Sequence, residues 1–292
     1  MIETLDAEWL KRHPLPDHPD DGDKEERGRL LVVGGSRELP GAVLLAAVAG
    51  LRAGAGKLQI ATAASIALAV GVAIPESRSV GLVETDEGCI DSGEIDRILC
   101  FADGAAAMLL GCGLQHGPAL DTMLDKLFAA KLNVPLVLDA AVLGSLADRA
   151  AALKAWPGGV MLLPHAGEMA RMIGVEADRI AADPLAAARR AAETFDAVTL
   201  IKGEYSHIVA PDGRAVRYKG GGVGLATSGS GDTLAGIVGG LAARGADPFA
   251  AVCWGVYLHG EAGRTLGERV GRVGFLAREL LDLVPGLMDE AK

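Results

Sequence analysis

Short apolar runs recur along this chain, separated by longer stretches of mixed pattern. Residues 29–33, 57–61, 80–83, 107–111, 136–139, 160–163 and 197–202 are runs of this kind, rich in Val, Leu and Ile. Such runs, largely without polar alternation, predict strands covered on both faces. Helical patterns lie between several of them, over 41–53, 121–131, 142–156 and 184–195. The first follows the turn Gly34-Gly35-Ser36 and ends at Gly54, which reads as a C-terminal cap. Alternating strands and helices imply a largely parallel sheet with helices on both sides. Residues 207–210 and 215–218 predict a hairpin, because Pro211-Asp212-Gly213 between them has turn chemistry. From Asp232 onward the pattern is helical, over 232–243, 248–266 and 275–283. Residues 1–28 carry Pro14, Pro16, Pro19 and the acidic cluster 17–23, and read as an extended arm ahead of a single domain over 29–292.

Composition sharpens this picture. Half of the 292 residues are hydrophobic but only 4% are aromatic, so a large core must be built from small side chains at close backbone spacing. The apolar stretch 41–51, closed by Arg52, is about half of what a bilayer span needs. The acidic, polar N-terminal segment lacks the pattern of a secretory signal. A cytoplasmic protein with no membrane partner is expected. The formal net charge of −10 argues against nucleic acid as a partner, yet leaves room for a small phosphorylated ligand held by a local positive field. Cys89, Cys100, Cys112 and Cys253 form no C-x-x-C pair, which points to reduced thiols rather than zinc or disulfides.

The strongest local motif is Thr227-Ser228-Gly229-Ser230-Gly231-Asp232, running straight into a helix. Glycines there let main-chain N–H groups turn inward, and a helix N-terminus favours an anion. Asp232 fits two roles: a helix cap, or a general base that takes a proton from an attacking hydroxyl. The P-loop, dinucleotide and nucleophile-elbow patterns are all absent.

The run 228–240 resembles the Gly-[Ser/Thr/Ala]-Gly-Asp signature of ribokinase-like kinases. Further segments match one branch in the same order: Gly34-Gly35-Ser36 with Gly41-Ala42, Leu163-Pro164-His165-Ala166-Gly167-Glu168, Leu200-Ile201-Lys202-Gly203 and Tyr257-Leu258-His259-Gly260. Over residues 28–285 the chain resembles the stand-alone ADP- or ATP-dependent NAD(P)H-hydrate dehydratases. That resemblance implies a ribokinase-like three-layer α/β/α sandwich with a mostly parallel central sheet. It also implies repair of hydrated NADH and NADPH by phosphorylation of the ring hydroxyl and elimination of phosphate. Mg²⁺ and ADP (or ATP) are the implied cofactors, ADP being the expected donor, and a homo-oligomer, a tetramer, the implied assembly.

The same resemblance distributes roles. Asp232 would be the catalytic base and touch substrate. Ala42, Gly113 and His165 would line the hydrate's side, and Lys202, Gly203, Glu204, Tyr205, Ser206 and Gly231 would contact the nucleotide. The amides of Gly229, Ser230 and Gly231 would form an anion hole. The sequence identifies no metal ligands. Plainer roles stand beside these: His165 and Glu168 as a helix cap and a dipole partner, Lys202 as a solvated charge, His259 as a buried structural residue. Three departures fall near the cleft: Ala141 replaces a carboxylate after Asp139, Cys112 replaces a proline, and Gly220–Gly224 lacks an asparagine. Two alternatives use the same residues, a small-alcohol kinase and a nucleotide-binding sensor without turnover.

Overall fold

The computed structural model describes residues 2–18 and 23–291. Its strands are β1 (Glu3–Thr4), β2 (Arg29–Val33), β3 (Lys57–Ala63), β4 (Ser77–Leu82), β5 (Ala107–Leu110), β6 (Leu136–Leu138), β7 (Val160–Leu162), β8 (Val198–Ile201), β9 (Tyr205–Val209) and β10 (Ala215–Lys219). They form one sheet in the order β1-β10-β9-β8-β7-β6-β5-β2-β3-β4. Only the β8–β9 and β9–β10 pairings are antiparallel. The expected hairpin is the second of these.

The helices, in chain order, are α1 (Ala7–Arg12), α2 (Pro40–Arg52), α3 (Ala64–Ala73), α4 (Ile95–Asp103), α5 (Pro118–Ala129), α6 (Ala141–Gly144) and α7 (Ala150–Lys154). They continue with α8 (Ala166–Ile173), α9 (Ala177–Ala182), α10 (Pro184–Phe195), α11 (Ser230–Ala243), α12 (Pro248–Arg269), α13 (Ala277–Leu280) and α14 (Val284–Glu290). Alternate strand positions serve opposite layers. Leu30, Val32, Ile60 and Leu109 join α2, α11 and α12 in one core, while Leu31, Val33, Met108 and Leu110 join α4, α5, α8 and α10 in the other. This is the three-layer sandwich.

Three expectations need correction. Part of the supposed arm belongs to the fold: β1 pairs parallel with β10, and α1 buries Trp9 and Leu10. The Asp6 carboxylate accepts from the Trp9 N–H at 2.8 Å and caps α1, and the buried indole stacks on His13. Pro19 and Asp20–Gly22, part of the acidic cluster, lie outside the described residues. The helix expected over 142–156 splits into α6 and α7, because Gly144 and Ser145 end the first turn and Arg149 turns aside to pair with Asp121 and Asp125. The helix expected over 275–283 is confined to the single turn of α13, and α14 begins afresh beyond it at Val284, with Pro285 in its first turn, where a missing N–H costs nothing.

The low aromatic content shows its effect where α2 crosses α11. A Cβ on Gly236 would lie 2.1 Å from the Ala46 carbonyl oxygen, and one on Gly240 would lie 2.3 Å from that of Gly50. These helices therefore touch backbone to backbone. The chain steps from β2 outward to β3 and β4, then restarts on the other side with β5 and continues to β8. The parallel strands thus end along one rim, with a topological switch between β2 and β5, where open α/β sheets bind ligands.

Candidate active site

Five strand ends supply the floor of this rim. Beyond β2 comes Gly34-Gly35, beyond β5 Gly111-Cys112-Gly113, beyond β6 Asp139, beyond β7 His165 and beyond β8 Lys202. At the switch point the Gly35 N–H donates to the Cys112 carbonyl at 2.8 Å, locking the two turns together. Gly113 has φ +75°, and a Cβ there would meet the Leu39 carbonyl oxygen at 2.7 Å and the Ala42 methyl at 3.1 Å. A side chain would be strained and crowded, so Ala42 and Gly113 leave bare backbone at this end of the rim.

Helix α11 points its N-terminus at the middle of the rim. Gly229, at φ +85°, is its N-cap, so the turn needs a residue that tolerates the left-handed region. The Gly229 carbonyl accepts from both the N–H and the hydroxyl of Thr233, each at 3.0 Å. The acceptor of the turn is thereby occupied, and the first N–H groups of the helix have no intrahelical partners. Asp232 is not the cap; it lies in the first turn.

Beneath that turn is a buried ion pair. Lys202 Nζ donates to Asp139 Oδ1 at 3.0 Å, and the Asp139 carboxylate is almost wholly buried. A Cβ on Gly231 would stand 3.6 Å from the ammonium and 3.8 Å from Asp139 Oδ2, so the pair lies directly against the signature turn. Burial alone would lower the Lys202 pKa, but Asp139 and Glu168 raise it, and it titrates above the ordinary lysine range. The solvated strand-end charge considered for Lys202 is therefore corrected.

Asp232 feels this surrounding. Burial, reinforced by the Asp139 charge, raises its pKa above the ordinary carboxylate range, against the opposing effects of the Cys112 thiol hydrogen bond and Lys202. A half-buried carboxylate with raised proton affinity suits a base better than an exposed one does. The Cys112 thiol, desolvated and beside Asp232 and Asp139, is held well above the usual thiol range and stays protonated. It is a hydrogen-bond donor in this site, where the resemblance would have had a proline.

His165 is the N-cap of α8. Its Nδ1 accepts from the Gly167 and Glu168 N–H groups at 3.0 and 3.3 Å, and Glu168 Oε2 accepts from the His165 N–H at 2.9 Å. The capping role is thus filled, with the rest of the ring exposed. His165 pairs through main chain with Lys202, so it stands beside the lysine and is separated from Ala42 and Gly113 by the end of β6. Gly203 and Glu204 are exposed in the turn after Lys202, and Tyr205 and Ser206 open β9 at the same rim. The Tyr205 ring carries Arg217 and Lys219 over it, each 5.1 Å from its centre, a positive margin to that end.

Two features went unforeseen. The Asp139–Lys202 pair joins residues 63 positions apart, which no local pattern announces. His259, on α12, is buried as expected, but its Nε2 lies 3.0 Å from the Ser230 hydroxyl. Among the described residues no three His, Cys, Asp or Glu side chains gather as a metal ion would require. Asp139 is engaged by Lys202. A Mg²⁺ ion fits this donor set only if phosphate oxygens and water supply most of its ligands, which is how Mg²⁺ is commonly carried with nucleotides.

A glycine-lined switch point, an anion-binding helix start and a raised carboxylate beside it define a ribokinase-like enzyme of the nucleotide-dependent kind. A family model described as NAD(P)H-hydrate dehydratase matches residues 30–286. The chain belongs to that family, whose enzymes are hydro-lyases. It is 43% identical to the ADP-dependent (S)-NAD(P)H-hydrate dehydratase of Xanthomonas campestris pv. campestris, over 99% of this chain and 96% of that one. It is 37% identical to the bifunctional NAD(P)H-hydrate repair enzyme of Moorella thermoacetica, over 96% of this chain but 53% of that protein. The ADP/ATP-dependent NAD(P)H-hydrate dehydratase of Bacillus subtilis, co-crystallised with ATP and Mg²⁺, superposes with a TM-score of 0.84 at 28% identity, covering 100% of this chain and 99% of that chain.

Proposed function

We propose that this chain repairs hydrated NADH and NADPH with ADP as phosphoryl donor, and that Asp232 is its catalytic base. The single observation that carries the assignment is the half-buried Asp232 carboxylate in the first turn of α11, beside the Cys112 thiol and the Asp139–Lys202 pair, where burial raises its proton affinity. Asp232 takes the proton of the ring hydroxyl as its oxygen attacks the terminal phosphorus of the nucleotide. The new O–P bond forms while the bond to the departing AMP oxygen breaks. Phosphate then leaves with the ring oxygen, a ring proton is lost, and the double bond returns. The N–H groups of Gly229 and Gly231 would hold the transferring group, joined by that of Ser230 if it leaves the Thr227 carbonyl, to which it donates at 3.2 Å. When bound on the nucleotide phosphates, Mg²⁺ offsets their charge.

The nucleotide would lie along Lys202, Gly203, Glu204, Tyr205, Ser206 and Gly231, under the positive margin of Arg217 and Lys219. The hydrate would enter over Ala42 and Gly113. The ends of β5 and β7 are about 10 Å apart, two strand spacings, so a dinucleotide is long enough to reach His165 as well. A homo-oligomer, as a tetramer, goes with this assignment, supported by an apolar face on and beside α3 where Leu68 is 80% and Val72 74% exposed. A cytoplasmic location is in accord with four free cysteines. No helix of the described residues is long and apolar enough to cross a membrane.

The decisive experiment incubates the protein with hydrated NADH, Mg²⁺ and either ADP or ATP. Recovery of the reduced-nicotinamide absorbance with ADP, with AMP and phosphate as products, is expected. A stable phosphate ester would reassign the chain as a kinase, and rapid turnover with ATP alone would overturn the donor. His165→Ala should weaken hydrate binding more than nucleotide binding; equal losses would reverse the orientation of the ligands.

A further inference from the structure

The two glycines of the signature turn are glycine for different reasons. Gly229 is required by its left-handed backbone. Gly231 has no such backbone, and a Cβ on it would meet only Lys202 Nζ at 3.6 Å and Asp139 Oδ2 at 3.8 Å, both ordinary contacts. Further along the same helix a methyl on Gly236 or Gly240 would run into the backbone of α2. A methyl on Gly231 would run into nothing; it would cover the Asp139–Lys202 pair.

That pair has an orientation. The Asp139 side chain is 4% exposed and that of Lys202 22%, so the carboxylate lies underneath and the ammonium is the open end. Asp139 Oδ1 takes one ammonium hydrogen at 3.0 Å, and no other described residue accepts from Nζ. An ammonium carries three donors and no acceptor, which leaves two hydrogens without a protein partner. Phosphoryl oxygens are acceptors of the kind they lack.

We propose that Asp139 is a positioning residue for phosphoryl transfer: it anchors the Lys202 ammonium beneath Gly231, where two lysine hydrogens engage oxygens of the transferring phosphoryl group, and residue 231 lacks a side chain so that the group can reach them. This rests on the assignment of the 229–232 turn to phosphoryl transfer, and it assigns Lys202 to the terminal phosphoryl group rather than to the rest of the nucleotide.

An anchor is needed because lysine is a point charge on a flexible four-carbon stem. Lys202 also feels the charge of Glu168, on the α8 side. Without Asp139 the ammonium would swing toward that carboxylate and away from α11. Held by Asp139, it stays close enough to the base for its charge to reach Asp232. A cation fixed before the reaction begins needs no reorganisation as charge moves in the transition state.

The test uses the full chain with Mg²⁺ present. Calorimetry compares binding of the donor nucleotide, ADP or ATP as turnover decides, with that of the product nucleotide one phosphate shorter. Asp139→Asn keeps the shape and removes the charge; it should weaken the donor roughly 10-fold more than the product. Equal weakening of both would mean a structural role and overturn the proposal. Gly231→Ala leaves the pair intact and should match or exceed the wild-type Tm, because alanine is the better helix former. It should nonetheless lower kcat roughly 10- to 100-fold; a preserved kcat would show that nothing needs to reach the pair. In a Lys202→Met background Asp139→Asn should cost no further kcat, since Asp139 acts only through the ammonium, and multiplied losses would contradict this. Asp232→Asn separates the two levels. Turnover retained there removes the assignment of the turn itself, whereas inactivity there with equal weakening of donor and product by Asp139→Asn removes only the role of Asp139.

Discussion

Asp232 sits where catalysis and stability pull in opposite directions. Its pKa is higher in the folded protein than in the unfolded chain, so the folded state binds this proton more tightly. The stabilisation belongs to the protonated form; it is present at low pH and is lost as pH rises through the folded pKa. At neutral pH the ionised carboxylate opposes folding. Asp232→Asn should therefore raise the urea midpoint while lowering turnover by roughly two orders of magnitude or more. Near-normal turnover would remove the assigned role, and an unchanged midpoint would mean that desolvation is not the dominant influence on this group. His259 carries the opposite pH dependence. Its pKa is about 4 folded against 6.5 ordinarily, so between those values the unfolded chain binds a proton that the folded protein refuses. Stability from this group is lost as pH falls across that window, on the order of 3 kcal/mol in full. His259→Gln should flatten the decline in unfolding free energy between pH 6.5 and 4.5; parallel curves for the two proteins would contradict this.

At the level of elements, the contact between α2 and α11 is built on absent side chains. Gly236→Ala places a methyl 2.1 Å from the Ala46 carbonyl oxygen, a position that only a shift of one helix can relieve. The expected cost is roughly 1–3 kcal/mol, with a further loss of activity because α11 carries Asp232 at its start. A calorimetric Tm equal to the wild type would show that the helices can separate freely. The strands were legible because consecutive Val, Leu and Ile positions bear their own signal, and the signature turn was legible because glycine spacing survives as a motif. Helix α4 also had a local signal, Ile95, Ile98 and Ala102 on one face, that went unused. Helix α3 had none: its sequence from Ala64 to Ala73 is apolar all round, and only Ile66 and Val70 are buried. For α1, prolines and charges further along suggested a loose arm, while Asp6 three residues before Trp9 was the cap that marked a helix. Site partners such as Asp139 with Lys202, or Ser230 with His259, meet only through the sheet and the crossing of α11 with α12.

For the whole molecule, the outer surface of α3 is the natural place to test assembly. Leu68 and Val72 on the helix and Val83 after β4 are exposed at 80%, 74% and 59%, at the β4 edge of the sheet. Leu68→Glu with Val72→Glu should leave the fold intact, because neither residue is buried, and should lower the mass measured by light scattering if this face joins subunits. An unchanged oligomer would move the interface elsewhere.

The sheet also ends on its other edge with β1, whose Glu3 pairs with Val216 across about three-quarters of the chain. A ribosome adding about 5–20 residues per second needs about 10–40 s to supply that partner. Until then Leu5, Trp9 and Leu10 lack the strand and helix they pack on, although they are at most 2% exposed in the finished protein. A segment made well before its partners is thus among the last to be seated. Its docking against α12, where Trp254 Nε1 donates to the His13 carbonyl at 2.8 Å, waits until both halves of the sheet have been made.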